Sequence, residues 1–300
     1  MTFAVLCLAL LGSAALGQQT GADRDYEVRS IGSVPAEEPP EIDGVLDEPV
    51  WSAADWQGEF RQLKPTVGDP AQVETRIAVA HDLEHLYVAF RCFNDPERPV
   101  YSRITRRDGN MDFDNAITLY LDTFHTRRDC YYFSTNSLGT QVDGRIGEDG
   151  RSNDKRWDCV WSVASREDSL GWTAEFAIPV KEIRFTEKGD GTWGVNFRRN
   201  YPELFEVGFW NYNDRRWQVS RFGDITGLPK FKGRRSFWVY PYLVGLNSNQ
   251  SSQGLRPFYS TGNTEMMAGA DVRFNIGANA VGNFTINPDF ATVEGDQEVI

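Results

Sequence analysis

The sequence predicts an all-β protein: an antiparallel β-sandwich followed by the first strands of an outer-membrane-type β-barrel. Three observations lead there. Apolar residues recur at every second position through most of residues 41–228, the period of a strand with one buried face. Gly, Asp and Asn turns split these runs and helical periodicity is nearly absent, which favours a sandwich. After Lys230 the alternating runs lengthen to about ten residues with aromatics near their ends, the pattern of a membrane-spanning strand.

Composition bounds the function. The 300 residues are 40% hydrophobic, 13% aromatic and 25% charged, a balance that excludes disorder. The formal net charge is −12, with Lys and Arg scattered among acids. No basic footprint is visible, so nucleic acid is not expected as a partner. An acidic excess suits solubility outside the cell, divalent cations or neutral ligands such as sugars.

The elements follow in chain order. Residues 3–11 are an apolar run too short to span a bilayer, and Ala15-Leu16-Gly17 fits a small-x-small cleavage site, so residues 1–17 read as a secretory signal peptide. No Lys or Arg precedes the run, a departure from the usual pattern. Cys7 lies inside the run rather than at a lipidation site. The polar stretch 18–40, with Pro35, Pro39 and Pro40, reads as a linker or a loosely held first strand. A short helix is expected over 47–54, with Pro49 near its start and Trp51 plugging the sandwich. Strands are expected where Ile77 and Val79, then Leu86, Val88, Phe90 and Cys92, then Ile117, Leu119 and Leu121, fall in phase. Trp172, Ala174, Phe176 and Ile178 repeat the pattern, as do Trp193, Val195 and Phe197.

Residues 229–300 offer further strands over 237–246, 267–276 and 280–286. Three strands are fewer than the roughly eight of the smallest bacterial barrels, so the barrel domain is expected to be incomplete here and the chain to continue beyond Ile300. After the signal peptide, Cys92, Cys130 and Cys159 remain. An odd number leaves at least one free thiol; any one pair could join, or all three could be small buried hydrophobes.

Residues 41–228 resemble the family 9 carbohydrate-binding module. The opening Ile42-Asp43-Gly44-Val45-Leu46-Asp47-Glu48-Pro49-Val50-Trp51 carries the first part of the likeness. His85-Leu86-Tyr87-Val88-Ala89-Phe90 and Asp114-Asn115-Ala116-Ile117-Thr118-Leu119-Tyr120-Leu121-Asp122 follow. Tyr132 to Gly139, Gly171-Trp172-Thr173-Ala174-Glu175-Phe176-Ala177-Ile178-Pro179 and Trp193 to Arg199 complete it. Asn287-Pro288-Asp289-Phe290, then Val293-Glu294 and Asp296-Gln297, resembles a family of bacterial exported proteins that couples such a module to an outer-membrane barrel. Together the two resemblances imply a β-sandwich, binding of an oligo- or polysaccharide, a role beside carbohydrate catabolism, and a place in the periplasm or outer membrane of a Gram-negative-type bacterium.

A sugar site needs an aromatic face and a few fixed polar groups. Trp172, Trp193 and Trp161 are in phase with core residues. Trp157 lies in a polar loop, Trp210 pairs in phase with Tyr212 out of the core, and Trp217 follows Asn213-Asp214-Arg215-Arg216; these form the candidate platform. Arg107 and Arg198 are candidate forks for sugar hydroxyls. Arg198 and Arg199 alternate faces, so at most one reaches a given site. Asp108, Asn110, Asp112 and Asp114 place oxygens at every second position, a candidate structural calcium loop, although without EF-hand spacing. Two alternatives stand beside sugar binding. One is a glycoside hydrolase acting on O-glycosyl bonds through two of Asp122, Asp143 and Glu175, with Glu175 expected at the solvent face or rim. The other is a structural or interaction sandwich carried on a barrel.

Overall fold

The computed structural model describes residues 28–187, 190–212, 218–232, 237–250, 261–276 and 280–287. The expected signal peptide, Trp217 and the motif from Pro288 onward lie outside the described residues. The chain is built almost wholly of strands. The first part comprises β1 (Ser30–Pro35), a short helix α1 (Pro49–Ala53), β2 (Arg61–Lys64), β3 (Thr75–His81) and β4 (His85–Phe93). It continues through β5 (Ala116–Asp122), β6 (Cys130–Asn136), β7 (Val142–Gly147), β8 (Ser152–Asp154), β9 (Ser162–Asp168) and β10 (Gly171–Pro179). The sandwich ends with β11 (Trp193–Tyr201), β12 (Glu206–Phe209) and β13 (Gly223–Thr226).

Two sheets face each other. One runs β8-β7-β6-β5-β11-β13, with β12 and β2 attached beside β11; the other runs β3-β4-β10-β9. Strand β1 belongs to both. Ser30 to Gly32 pair in parallel with Asp224 to Thr226 of β13, and Ser33 to Pro35 pair in parallel with Val79 to His81 of β3. One continuous curled sheet is thereby folded over on itself. Of the two readings of residues 18–40, linker or first strand, Ser30–Pro35 take the second, and the strand is firmly held: Ile31 is fully buried in the main core. A purely antiparallel sandwich was expected, and β1 is the departure from it.

The alternation puts the expected residues between the sheets. Val88, Phe90, Leu119, Trp161, Trp172, Phe176, Ile178, Trp193 and Phe197 share one core. Phe90 packs on Phe176 with ring centroids 5.4 Å apart, and Trp161 stacks on Phe176 at the same separation. Cys92, Cys130 and Cys159 are free and buried, so the disulfide option gives way to three small apolar fillers.

Each sheet also carries apolar material on its outer face. Trp51 of α1 packs there against Ala78, Ala80, Tyr87 and Ala89 of the second sheet. Its ring covers Glu175, which was expected near solvent. That expectation fails because β10 is covered on both faces: Glu175 is fully buried. Its carboxylate accepts from Trp51 Nε1 at 2.7 Å, Gly44 N at 2.8 Å and Asp43 N at 3.3 Å. Gly44 has φ +83°, and a Cβ there would press on the Ser165–Arg166 backbone at 3.0 Å, so the turn that aims these amides requires glycine.

A separate three-stranded antiparallel sheet follows: β14 (Phe237–Gln250), β15 (Thr261–Ile276) and β16 (Ala280–Ile286). Its register divides residues between two faces. Phe237, Val239, Pro241 and Leu243 lie opposite Phe274, Val272, Ala270 and Ala268, and Val272 and Ala270 in turn face Phe284 and Ile286. Tyr240, Tyr242, Asp271, Asn283 and Thr285 fall on the alternate face.

Candidate functional site

A pocket of about 170 Å³ opens on the outer face of the first sheet. Even-numbered residues of the strands make its floor: Ala116, Thr118 and Tyr120 of β5, Tyr132 and Ser134 of β6, Val142 and Ile146 of β7. Their odd-numbered neighbours Ile117, Leu119 and Phe133 fill the main core, so the strand period places floor and core on opposite sides of the same sheet. Tyr120 and Tyr132 are direct cross-strand partners, and Tyr132 lies opposite Gly144. A Cβ on Gly144 would collide with the Tyr132 ring, so glycine here lets the ring lie flat across β7.

The wall is the loop Asp108-Gly109-Asn110-Met111-Asp112. Three side chains outside the pocket fasten it. Asn200 Nδ2 donates to Asp114 O at 2.7 Å and to Asp112 O at 3.0 Å. Asp114 Oδ2 accepts from Ile104 N at 2.9 Å and Asn136 Nδ2 at 2.8 Å. Asn136 also donates to Ile104 O at 2.7 Å. Asp114 and Asn136 come from two of the stretches that carry the family resemblance, and their role here is to hold this loop.

Of the four residues of the expected calcium loop, Asp114 is committed to fastening the wall. Asp114 is 2% exposed and turned into these hydrogen bonds, while Asn110 Oδ1 accepts from Asp112 N at 3.0 Å in an Asx turn. Among the described residues, no three His, Cys, Asp or Glu side chains are grouped to hold a metal ion.

Arg107 and Arg198 divide two roles between them. Arg107 is an internal fastener: its guanidinium pairs with Asp143 at 2.7 Å and donates to Gln141 Oε1 at 2.7 Å and Cys159 O at 3.0 Å. Asp143 is 1% exposed and also accepts from Cys159 N at 2.8 Å and Trp161 Nε1 at 3.1 Å. Burial raises the Asp143 carboxyl; Trp161 and Arg107 partly offset this. Arg198 instead lines the pocket, as the alternation with buried Arg199 requires. Register sets it between Thr118 and Phe209. Its Nε and Nη2 are both buried without a hydrogen-bond partner. Lys155 and Asn153, from the β7–β9 connection, complete the polar rim.

Of the candidate indole platform, Trp210 is turned away from the surface. Trp210 is 1% exposed, edge-on to Phe197 at 5.4 Å and beneath the Arg29 guanidinium at 4.7 Å. Its backbone N–H bonds Phe197 O at 2.9 Å, and because Val207 and Phe209 pack on the outer face, the unbroken alternation of β12 turns the Trp210 ring into the main core. Trp157 is half-buried, packed on Tyr131 at 4.7 Å and Phe133 at 6.0 Å. Tyr212 is half-buried and does not line the pocket. Trp217 lies outside the described residues. The tyrosines that do form the floor were passed over because each sits on a strand whose other face is core. Their signal was present all the same: an aromatic out of phase with the core on two adjacent strands.

The carboxylates weighed for hydrolysis are dispersed. Glu175 lies on the outer face of the opposite sheet. Asp122 accepts the Thr126 and Arg127 amides at the end of β5, and Asp143 is held by Arg107.

No protein-family model and no curated protein matches the chain. Its sandwich is similar to a solved structure, that of a "putative carbohydrate-binding protein" from Bacteroides uniformis ATCC 8492. That chain is 14% identical, covers 66% of this one and 99% of itself, and superposes with a TM-score of 0.50, which shows a shared fold. Two structures of a family 9 carbohydrate-binding module from Caldicellulosiruptor kristjanssonii, in complex with glucose and with cellotriose, are each 19% identical. They cover 69% of this chain, 97% and 95% of their own, with TM-scores of 0.47 and 0.40.

Proposed function

We propose that the protein binds a saccharide, without cleaving it, in the pocket on the outer face of β5, β6, β7 and β11. The observation that carries this reading is one concave site in which Arg198, Asn153, Lys155 and the Asp108–Asp112 wall surround a floor to which Tyr120 and Tyr132 contribute, at 2% and 7% exposure. A pyranose has apolar C–H faces for the floor and clustered hydroxyls for Arg198, Asn153 and the Asp108–Asp112 wall. The sandwich fold shared with a protein of saccharide-binding name supports it. Non-catalytic binding fits the dispersal of Asp122, Asp143 and Glu175. A glycan-array screen of the full chain, followed by calorimetry on each hit, tests the reading. Binding that is lost in Tyr132→Ala is expected; release of reducing sugar from a bound glycan, or hits unaffected by Tyr132→Ala, would overturn it.

The second part of the proposal is that β14–β16 belong to an outer-membrane barrel that carries the module at the bacterial envelope. The face sorting supports this. Phe237, Val239, Leu243, Met266, Phe284 and Ile286 are all exposed on one apolar face, at 51–76% of their free surface. The alternate face is mixed, with Asp271, Asn283 and Thr285 beside Tyr240, Tyr242, Val244 and Met267. Lipid-facing and lumen-facing residues alternate in this way along barrel strands. The full chain should float with phospholipid vesicles in a density gradient, and recovery entirely in the soluble fraction would overturn this part.

A further inference from the structure

We propose that Asp149 is a positioning residue of the saccharide site: its carboxylate pins a left-handed turn to Ser220 and so fixes the Asn153–Lys155 edge of the pocket. The inference rests on the saccharide-binding reading above and names a control point of that same site.

This edge of the pocket has little of its own to hold it. Asn153 and Lys155 line the pocket, and Asn153 is the direct cross-strand partner of Ile146 in the floor. Strand β8, which carries Asn153, is only three residues long, pairs with β7 alone and buries none of its side chains. An edge strand without buried side chains gains little from packing. Trp157, packed on Tyr131 at 4.7 Å, anchors the chain that follows. The position of β8 therefore depends on the turn that leads into it.

That turn is strained. Glu148, Asp149 and Gly150 have φ of 54°, 57° and 91°. Glycine takes this region freely, Asp with some ease, and Glu only at a steric cost. An ordinary tight hairpin would place Asn-Gly here. Strain of this kind persists where the surroundings over-determine the backbone, and it gathers at binding clamps. Four bonds to other segments do this for Glu148 and Asp149. Glu148 N donates to Asp129 Oδ1 at 3.2 Å, and Asp149 N donates to Arg128 O at 2.8 Å, which ties the turn to the β5–β6 connection. Ser220 N and Oγ, 71 residues further along the chain, donate to Asp149 Oδ1 and Oδ2 at 2.8 and 3.0 Å. Both carboxylate oxygens thus engage one serine. Without them the turn can relax toward less strained conformations, and β8 moves with it, carrying Asn153 and Lys155 away from the floor.

The test sets backbone strain against the carboxylate. The full chain and its variants are compared on one array of mono- and oligosaccharides, beside thermal melts and amide hydrogen exchange. Asp149→Gly removes the carboxylate and relieves the backbone at once, so its melting temperature should be unchanged. Its affinity for each saccharide the parent binds should nevertheless fall about ten-fold. Its β8 amides should exchange about ten-fold faster while those of β5 and β6 keep the parent rate. Glu148→Gly relieves the same strain but keeps the carboxylate, so it should melt higher than the parent and bind equally well. Asp149→Asn retains an acceptor for Ser220 N and tolerates the left-handed region, so it should recover most of the affinity. Parent-like affinity in Asp149→Gly, or an equal loss in Glu148→Gly, would overturn the inference while leaving saccharide binding in the pocket intact. A parent chain that binds no saccharide on the array would overturn both.

Discussion

Trp51 Nε1 donates to Glu175 Oε1 at 2.7 Å across 124 residues of chain. This bond joins the opening motif of the sandwich to the strand that carries Gly171 to Pro179, and it explains why a buried acid stands among apolar neighbours. Burial pushes the Glu175 carboxyl up to about 7, with the Trp51 and Gly44 donors offsetting part of the shift. The folded value exceeds the ordinary 4.5, so the native state holds more protons between these two pH values. Stability from this group is therefore fully present below about pH 4.5 and declines as pH rises toward 7. The difference in unfolding free energy between the parent and Glu175→Gln should change by about 2–3 kcal/mol across that window. Urea denaturation at half-unit pH steps measures it; parallel curves would refute the assignment.

Arg107→Gln should destabilise the fold rather than weaken ligand binding directly. It strands a nearly inaccessible Asp143 without its cation. The cost should be about 2 kcal/mol or more, below the 3–5 of a fully buried pair because Arg107 is 37% exposed. Arg107→Lys should recover little, since one ammonium cannot serve Asp143, Gln141 and Cys159 O together. Equilibrium unfolding in guanidinium checks both, and a neutral Arg107→Gln would show the pair to be dispensable.

Two substitutions should separate core from pocket. Trp210→Ala should cost about 3–5 kcal/mol by leaving a cavity in the core, with saccharide affinity unchanged in the folded protein. Gly144→Ala should do the reverse in emphasis: its methyl displaces the Tyr132 ring and lowers affinity about ten-fold. Calorimetry beside thermal melts reads both. Loss of affinity in Trp210→Ala at a temperature where it stays folded would return that indole to the site.

The thiols should be silent in the native protein. Cys92, Cys130 and Cys159 are at most 4% exposed, and burial pushes each thiol above its ordinary value, so little thiolate is available to react. Ellman's reagent should label none of them at pH 8 and all of them in denaturant, and reductant should leave the melting temperature unchanged. Rapid labelling of the folded chain would contradict the packing.

The fold was legible because strand alternation reports burial directly. Residues 85–93 and 116–122 form strands over the expected spans, and their inward residues meet in one core. Glu175 was misplaced because alternation tells which side of a strand a residue takes, not whether that side is covered by another element. Trp210 was misplaced for a related reason: Val207 and Phe209 of β12 pack on the outer face of their sheet, so unbroken alternation turns Trp210 into the main core. The pocket needed the loop from Ile104 to Asp114, whose path is fixed by Asn136 and Asn200 from distant strands, and no local pattern encodes that. Arg198 was the exception. Simple alternation against Arg199 was enough to aim it outward.

The shared strand β1 has a consequence in time. Its partners are Val79 to His81 on one side and Asp224 to Thr226 on the other, so the earliest described strand is completed by the last strand of the sandwich. A chain emerging from its amino end must hold Ile31 uncovered until nearly two hundred further residues have appeared. The clasp closes only when the whole module is present, which makes the sandwich an all-or-nothing object during synthesis: a ribosome stalled inside β11 would present an open sheet rather than a smaller domain.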